Sequence, residues 1–99
     1  MSSETIIKMR QYVGEFAENK DVAREIRESR IRPALENGDQ VILDFSEVNS
    51  ATQSFVHALL SELIRIYDVE LTDMITFKDC SATVKEIIGI VFDYMLERD

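Results

Sequence analysis

The stretch that decides the fold is "VILDFSEVNSATQSFVHALLSEL", residues 41–63. Val41, Ile42 and Leu43 form an apolar run that ends at Asp44, which is typical of a buried strand. A polar segment follows, and apolar residues then return at helical spacing. This spacing connects Val56, Leu59, Leu60, Leu63 and Tyr67. The stretch therefore predicts a strand, a polar junction and a helix.

The chain before this stretch predicts two strands and one helix. Loose alternation predicts a strand near residues 4–10, and "YVGEFA" is consistent with a second short strand that turns at Gly14. "NKDVAREIRESRIRPALENG" predicts a helix, with Asn19 as its N-cap. Pro33 lacks an N–H group, so we expect a kink there, or a break followed by a short last turn.

The chain after this stretch predicts a third core strand and a last helix. The strand lies in "DMITFKD", and the helix in "SATVKEIIGIVFDYMLERD" begins at a cap supplied by Ser81 or Thr83. The alternation predicts an α/β fold, in which three helices accompany a small, mostly parallel sheet of three to four strands. Residues 1–99 then form a single domain. The Val-Ile-Leu run favours a central strand covered on both faces; the alternative is that all helices crowd one face and the other meets a partner.

Composition and charge exclude several classes of protein. The 99 residues include one cysteine, Cys80, and neither a signal-peptide core nor a membrane-spanning apolar run. We therefore expect a cytoplasmic protein without membrane contact. The net charge is −8, and residues 41–99 hold four Lys/Arg against eleven Asp/Glu. That imbalance repels a phosphate backbone, so no nucleic-acid partner is expected.

The residues that usually carry chemistry are isolated. His57 is the sole histidine and has no metal-ligand neighbour at helical spacing. Cys80 has no partner base, and the three glycines form no phosphate loop. We predict no catalytic residues, no metal and no cofactor, and hence not an enzyme.

The first long helix carries a dense set of cations. Its members are Lys20, Arg24, Arg27, Arg30 and Arg32. Glu25 and Glu28 are interleaved, which favours a solvated, salt-bridged face. The sharper hypothesis is a docking strip for an acidic partner or a phosphate.

The polar junction at residues 52–54 has two interpretations. Thr52 or Gln53 can cap the following helix, with Ser54 in its first turn. A hydroxyl at that positive helix end also lies where the helix would stabilise an added phosphate. If the junction is a partner surface, the same phosphate would disturb docking.

The junction resembles the central signature of STAS domains, the fold of anti-anti-sigma factors. Asp44, Phe45, Ser46 and Val48 match the strand motif, and residues 52–55 lie on that family's Asp-Ser-Ser-Gly quartet. The Leu-Asp-Phe-Ser-x-Val run and the later Ser-Phe pair match a divergent bacterial branch, the uncharacterised STAS-like domains, more closely. The resemblance spans roughly residues 19–95.

The resemblance implies a regulatory role and also shows departures from it. Gln53 stands where anti-anti-sigma factors carry their phosphoacceptor serine, so their phospho-switch does not transfer. Ser54 and Thr52 are the nearest hydroxyls and are the candidate phosphorylation sites. Asp44, with Ser46, is expected to organise the loop that follows the strand. The implied partner is an ATPase-fold kinase or an anti-sigma-like protein.

These observations predict a non-enzymatic protein-interaction and regulatory module that docks its partner through residues 52–65. The predicted contact residues are Thr52, Gln53, Ser54, His57, Ser61 and Arg65. On this helix His57, Ser61, Glu62 and Arg65 should face outward.

Three alternatives remain open. An acidic decoy would occupy a nucleic-acid-binding site of another protein. A small-ligand or nucleotide-binding domain would hold its ligand near Ser46 and Ser54. A homodimer would pair the strand at residues 5–10 across two copies.

Overall fold

A computed structural model describes residues 3–97 of the chain. Its strands are β1 (Glu4–Lys8), β2 (Phe16–Ala17), β3 (Gln40–Asp44), β4 (Ser50–Ala51) and β5 (Ile75–Lys78). Its α-helical segments are α1 (Arg10–Val13), α2 (Lys20–Ile26), α3 (Arg32–Glu36), α4 (Gln53–Tyr67), α5 (Leu71–Met74) and α6 (Ala82–Leu96). A π-helical turn (Arg27–Ile31) joins α2 to α3, and a 3₁₀ turn (Asp68–Glu70) joins α4 to α5.

The main sheet is parallel throughout, in the order β1-β3-β5. Leu43 of β3 pairs with Ile7 of β1 on one side and with Phe77 of β5 on the other. The predicted small parallel α/β sheet is confirmed, with "QVILDF" as its central strand. β1 is an edge strand, so it could pair with a second copy of the chain. A homodimer formed through residues 5–10 stays a prediction.

The two faces of this sheet are covered unequally. Ile7, Val41 and Leu43 are buried in the same core as the apolar side chains of α2, α4 and α6. On the opposite face Ile6 is 54% exposed and Thr76 is exposed. Of the two arrangements that the sequence left open, the structure shows the one with the helices on a single face, and not the central strand covered on both faces that the Val-Ile-Leu run favoured. The long helices all pack on one side of the sheet. A Val-Ile-Leu run in the sequence does not indicate on which side the helices lie.

The first long helix passes through Pro33 by changing its winding. Asn19 caps it as predicted, since its side-chain oxygen accepts from the N–H groups of Asp21 and Val22. Just before Pro33 the N–H of Arg32 bonds to the carbonyl of Arg27, five residues back. This wider π-helical turn accommodates a residue that would clash in a regular helix interior.

A second pair of strands joins the segment after Gly14 to the loop before α4, and its first strand lies within the predicted "YVGEFA" stretch. Phe16–Ala17 pairs in parallel with Ser50–Ala51, next to the start of α4. Residues 10–13 form a helical turn instead of continuing the predicted "YVGEFA" strand, and Gly14 ends this turn with a φ of 69°. Together with its ψ of −145°, this φ falls in a region that is essentially restricted to glycine, which explains its place there.

The last two long helices complete the core. In α4 the predicted core residues Val56, Leu59, Leu60 and Leu63 are all fully buried. Ser81 caps α6, because its Oγ accepts the N–H of Val84. No helix within residues 3–97 is long and apolar enough to cross a membrane.

Candidate functional site

The site begins at the carboxyl end of β3, where Asp44 holds the next turn. Its Oδ1 accepts hydrogen bonds from the Ser46 backbone N–H at 2.9 Å and from the Ser46 hydroxyl at 2.6 Å. The same hydroxyl lies 3.0 Å from Oδ2 of Asp79, which follows β5. A hydroxyl has one proton, so it donates to only one of these carboxylates at a time.

The hydrogen bonds from Ser46 also set the ionisation of Asp44. They favour the charged carboxylate and lower the pKa of Asp44 below its ordinary value of 3.8. The nearby ammonium groups of Lys78 and Lys8 act in the same direction. Both lysines pair with Asp44 in the sheet register, one on each neighbouring strand. Asp44 is therefore an ionised anchor for the turn at neutral pH.

Backbone contacts from two sides fix the rest of the loop. The Asn49 N–H bonds to the Glu15 carbonyl at 2.8 Å, and the Thr52 N–H bonds to the Ala17 carbonyl at 2.9 Å. On the other side the Ser81 hydroxyl donates to the Asn49 carbonyl at 3.0 Å. The loop between β3 and α4 is thus held by the β2 segment and by the cap of α6.

The loop leads into α4, whose first turn is capped but keeps backbone N–H groups without acceptors among residues 3–97. Thr52 is the N-cap, because its Oγ1 accepts the Phe55 N–H at 3.0 Å. Phe55 itself is fully buried and anchors the first turn in the core. Within the described residues, the N–H groups of Gln53 and Ser54 have no hydrogen-bond acceptor, and both side chains are exposed. The first turn of α4 carries no acidic residue, so its positive end is open to an external acceptor.

The predicted contact residues differ in their exposure. Gln53, Ser54 and Arg65 are exposed, whereas Thr52 and His57 are half-buried. Ser61 is only 7% exposed, so the prediction that it faces outward is wrong. Periodicity placed it on the polar side of α4, but α2 packs against that side of the helix. Glu62 is half-buried and pairs with Arg65 at 2.9 Å.

An open groove of about 430 Å³ lies between α2 and α4, beside Ser54. The residues that line it are Lys20, Arg24, Gln53, Ser54, His57, Ala58 and Ser61. No carboxylate is among them, although the chain as a whole carries a net charge of −8. Farther along α2, Arg27 donates from Nη1 to the Ala58 carbonyl at 2.8 Å, which ties the two helices together.

The structure divides the basic set of the first long helix. Arg27 and Arg32 contact Glu28, and Arg30 lies over the ring of Tyr12 at 5.8 Å. Lys20 and Arg24 instead line the groove beside α4. Only these two of the five cations therefore belong to the junction. The sequence pattern did not predict that these two residues lie beside α4, because the residues of one helix do not determine which helix packs against it.

Cys80 and His57, the other side chains of potential reactivity, have separate contacts. Burial raises the pKa of the Cys80 thiol, which disfavours the nucleophilic thiolate. The His57 ring contacts the ring of Tyr94 at 6.4 Å between centroids. Within residues 3–97, no three His, Cys, Asp or Glu side chains are grouped so that they could hold a metal ion. Asp79 was missed from sequence; the signal was its place directly after a strand parallel to β3.

Fold and junction together define a class: a small parallel α/β domain with an exposed polar turn between its central strand and the next helix. The chain belongs to the STAS-like family, since the family model described as a STAS-like domain of unknown function matches residues 22–85, more than half of the chain. The comparisons with curated proteins and with solved structures gave no match. The resemblance seen in the sequence is thereby confirmed.

Proposed function

We propose that this chain is a non-enzymatic regulatory module that docks a partner protein through the exposed side of residues 52–65. The observation that carries the proposal is the exposed first turn of α4, with Gln53 and Ser54 presented on a loop fixed from two sides. A rigid backbone loses little conformational entropy when it binds, so such a turn is a suitable contact point.

Apolar residues at the far end of α4 support a surface longer than the turn itself. Ile66, in the last turn of α4, is 50% exposed, and Val69, in the 3₁₀ turn that follows, is 60% exposed. At about 1.5 Å per residue, Ser54 and Ile66 lie roughly 18 Å apart along the helix. A partner that also reaches about a third of a turn around the helix meets a polar start and an apolar end, a composition that suits an interface.

Membership of the STAS-like family supports a protein as the partner. By the resemblance to anti-anti-sigma factors, the partner class is an ATPase-fold kinase or an anti-sigma-like protein. The corresponding location is the cytoplasm. These assignments are proposals, and they are tested by finding which residues of the chain contact the partner.

Photo-crosslinking in the native host tests the docking surface. A photoreactive phenylalanine analogue replaces Gln53 or Arg65, and the matched control replaces Ala82, the first residue of the equally long helix α6. We expect one discrete crosslinked protein from positions 53 and 65 and none from position 82. Equal crosslinking from all three positions, or none from any, contradicts the proposal.

Phosphorylation of the junction is a separate hypothesis with its own test. Ser54 is exposed, whereas the Thr52 hydroxyl is half-buried and occupied in capping Phe55. Ser54 is therefore the better acceptor of the two. Incubation with the cognate kinase should add one phosphate by intact-mass analysis, and Ser54→Ala should abolish it. An unchanged mass of the wild-type chain removes this hypothesis.

A small-ligand site remains the second candidate function, favoured by a hollow at the carboxyl end of the strands. Its volume is about 330 Å³, and it includes Lys8, Asp44 and Ser46 in its lining. A thermal-shift screen with nucleotides tests it, since a ligand at 100 times its Kd adds about 2.7 kcal/mol. No shift with any nucleotide would exclude nucleotide binding at this hollow.

A further inference from the structure

We propose that the groove between α2 and α4 is a binding site for a phosphate monoester group. Lys20 and Arg24 approach from α2, while α4 supplies Ser54, His57 and Ser61. The inference goes beyond partner docking, because it names a ligand chemistry that holds whether the phosphate arrives on a protein or on a small molecule.

The first support is the charge and donor content of the groove. Lys20 forms no ion pair within the described residues. Arg24 pairs with Asp21 at 2.9 Å, but the Asp21 side chain is 89% exposed and does not line the groove. The open N–H groups of Gln53 and Ser54 lie at the positive end of a 15-residue helix. Such a helix start attracts anions.

The second support is independent of the helix end. Ser61 is 7% exposed and lines the groove, yet its hydroxyl forms no hydrogen bond within residues 3–97. Its oxygen is not fully enclosed either, because no completely buried side-chain N or O atom in this part of the chain lacks a partner. Because this oxygen is accessible only from the groove side of a nearly buried residue, the hydroxyl is available to a ligand bound there.

The kind and number of donors favour phosphate over carboxylate. A carboxylate offers two oxygens and one charge, whereas a phosphate monoester carries about −1.5 to −2 charges and three terminal oxygens. The groove offers an ammonium, a guanidinium, hydroxyls and backbone N–H groups from two helices. Its open side leaves room for the remainder of the ester. The surplus of donors is what a doubly charged group with three acceptor oxygens requires.

The test uses the full chain, unphosphorylated, titrated with inorganic phosphate and followed by two-dimensional amide NMR. We expect saturable shifts at the amides of Gln53, Ser54 and His57. In the double variant Lys20→Gln/Arg24→Gln the affinity should fall by about tenfold or more, because two charge-assisted contacts are lost. Ser61→Ala should weaken binding less, since it removes one neutral donor.

A matched control separates a site from general charge attraction. Lys85→Gln/Arg32→Gln removes the same charge, again one lysine outside any ion pair of the described residues and one arginine paired with surface carboxylates, here Glu28 and Glu36. Its affinity should equal that of the wild type. Equal weakening in both double variants, or shifts that never saturate, overturns the proposal.

Further titrations identify the chemistry and its source. Acetate at equal ionic strength should bind much more weakly than phosphate, and equal binding by acetate overturns the phosphate assignment. A phosphoserine peptide that binds tighter than inorganic phosphate points to a protein source, while a nucleoside monophosphate that does so points to a small molecule. These results are independent of the crosslinking experiment, so the site and the docking surface can fail separately.

Discussion

The two faces of strand β3 differ in almost every respect. Val41 and Leu43 point into the core and are fully buried, whereas Ile42 and Asp44 are only half-buried on the open face. The buried face packs against the helices, and the open face carries a row in which Asp44 lies between Lys8 and Lys78. One face of a five-residue strand thus supplies stability, and the other positions the junction.

The largest effect should come from the covered face. Leu43→Ala removes a fully buried side chain, so we expect the free energy of unfolding to fall by about 2–5 kcal/mol. Ile42→Ala, on the open face of the same strand, should cost about 1 kcal/mol, because less apolar area leaves the core. Urea unfolding of both variants measures the difference. Equal losses would mean that the open face is covered in solution, for instance by a second copy.

A smaller and more local effect should come from Asp44→Ala. The Ser46 N–H and hydroxyl both lose their acceptor, which should cost about 0.5–1.5 kcal/mol, because both groups are only part-buried and water can replace the carboxylate. Amide hydrogen exchange should accelerate across residues 45–54, while the helix content by circular dichroism stays constant. Asp79→Ala is the control, because it leaves the bonds to Asp44 in place. An unchanged exchange rate in residues 45–54 would show that Asp44 does not organise this loop.

The smallest effect is a pH dependence on the open face. The pKa of Asp44 is lowered in the folded state, chiefly by its hydrogen bonds from Ser46. Its carboxylate therefore stabilises the fold above its ordinary pKa of 3.8, and this contribution is lost as pH falls through the lower folded value. Asp44→Asn should be less stable than the wild type at about pH 7, and the gap should narrow at about pH 3. Urea unfolding across this range checks it; a constant gap would contradict the assignment.

The sequence predicted those parts of the molecule that depend on neighbours along the chain. The caps at Asn19 and Thr52 follow from short-range rules, since each side chain bonds to an N–H two or three residues later. The central strand and the core stripe of α4 follow from periodicity for the same reason. The family signature likewise rests on a contiguous stretch and was confirmed.

The features that the sequence did not predict all depend on distant contacts. A short strand around Phe16 was predicted, but β4 and its pairing with β2 were not, and that pairing exists because residues 15–17 meet residues 49–52. Ser61 carries a surface-type side chain and is buried only because α2 packs there. The groove that joins Lys20 to Ser54 has the same origin. Helix packing, more than local propensity, thus determines the candidate site.

The π-helical turn before Pro33 has a consequence for how this chain tolerates length changes. Ile26 and Ile31 are both buried although they stand five positions apart, a spacing that ordinary 3.6-residue winding does not keep on one side. Regular winding would need one residue fewer between them, but it would then set Pro33 inside an uninterrupted helix. The extra residue in the π-helical turn therefore relieves the clash that Pro33 would cause in a regular helix. We expect a one-residue deletion in residues 27–30 to preserve the fold only when Pro33 is replaced as well. Insertions and deletions in this segment should accordingly co-vary with residue 33.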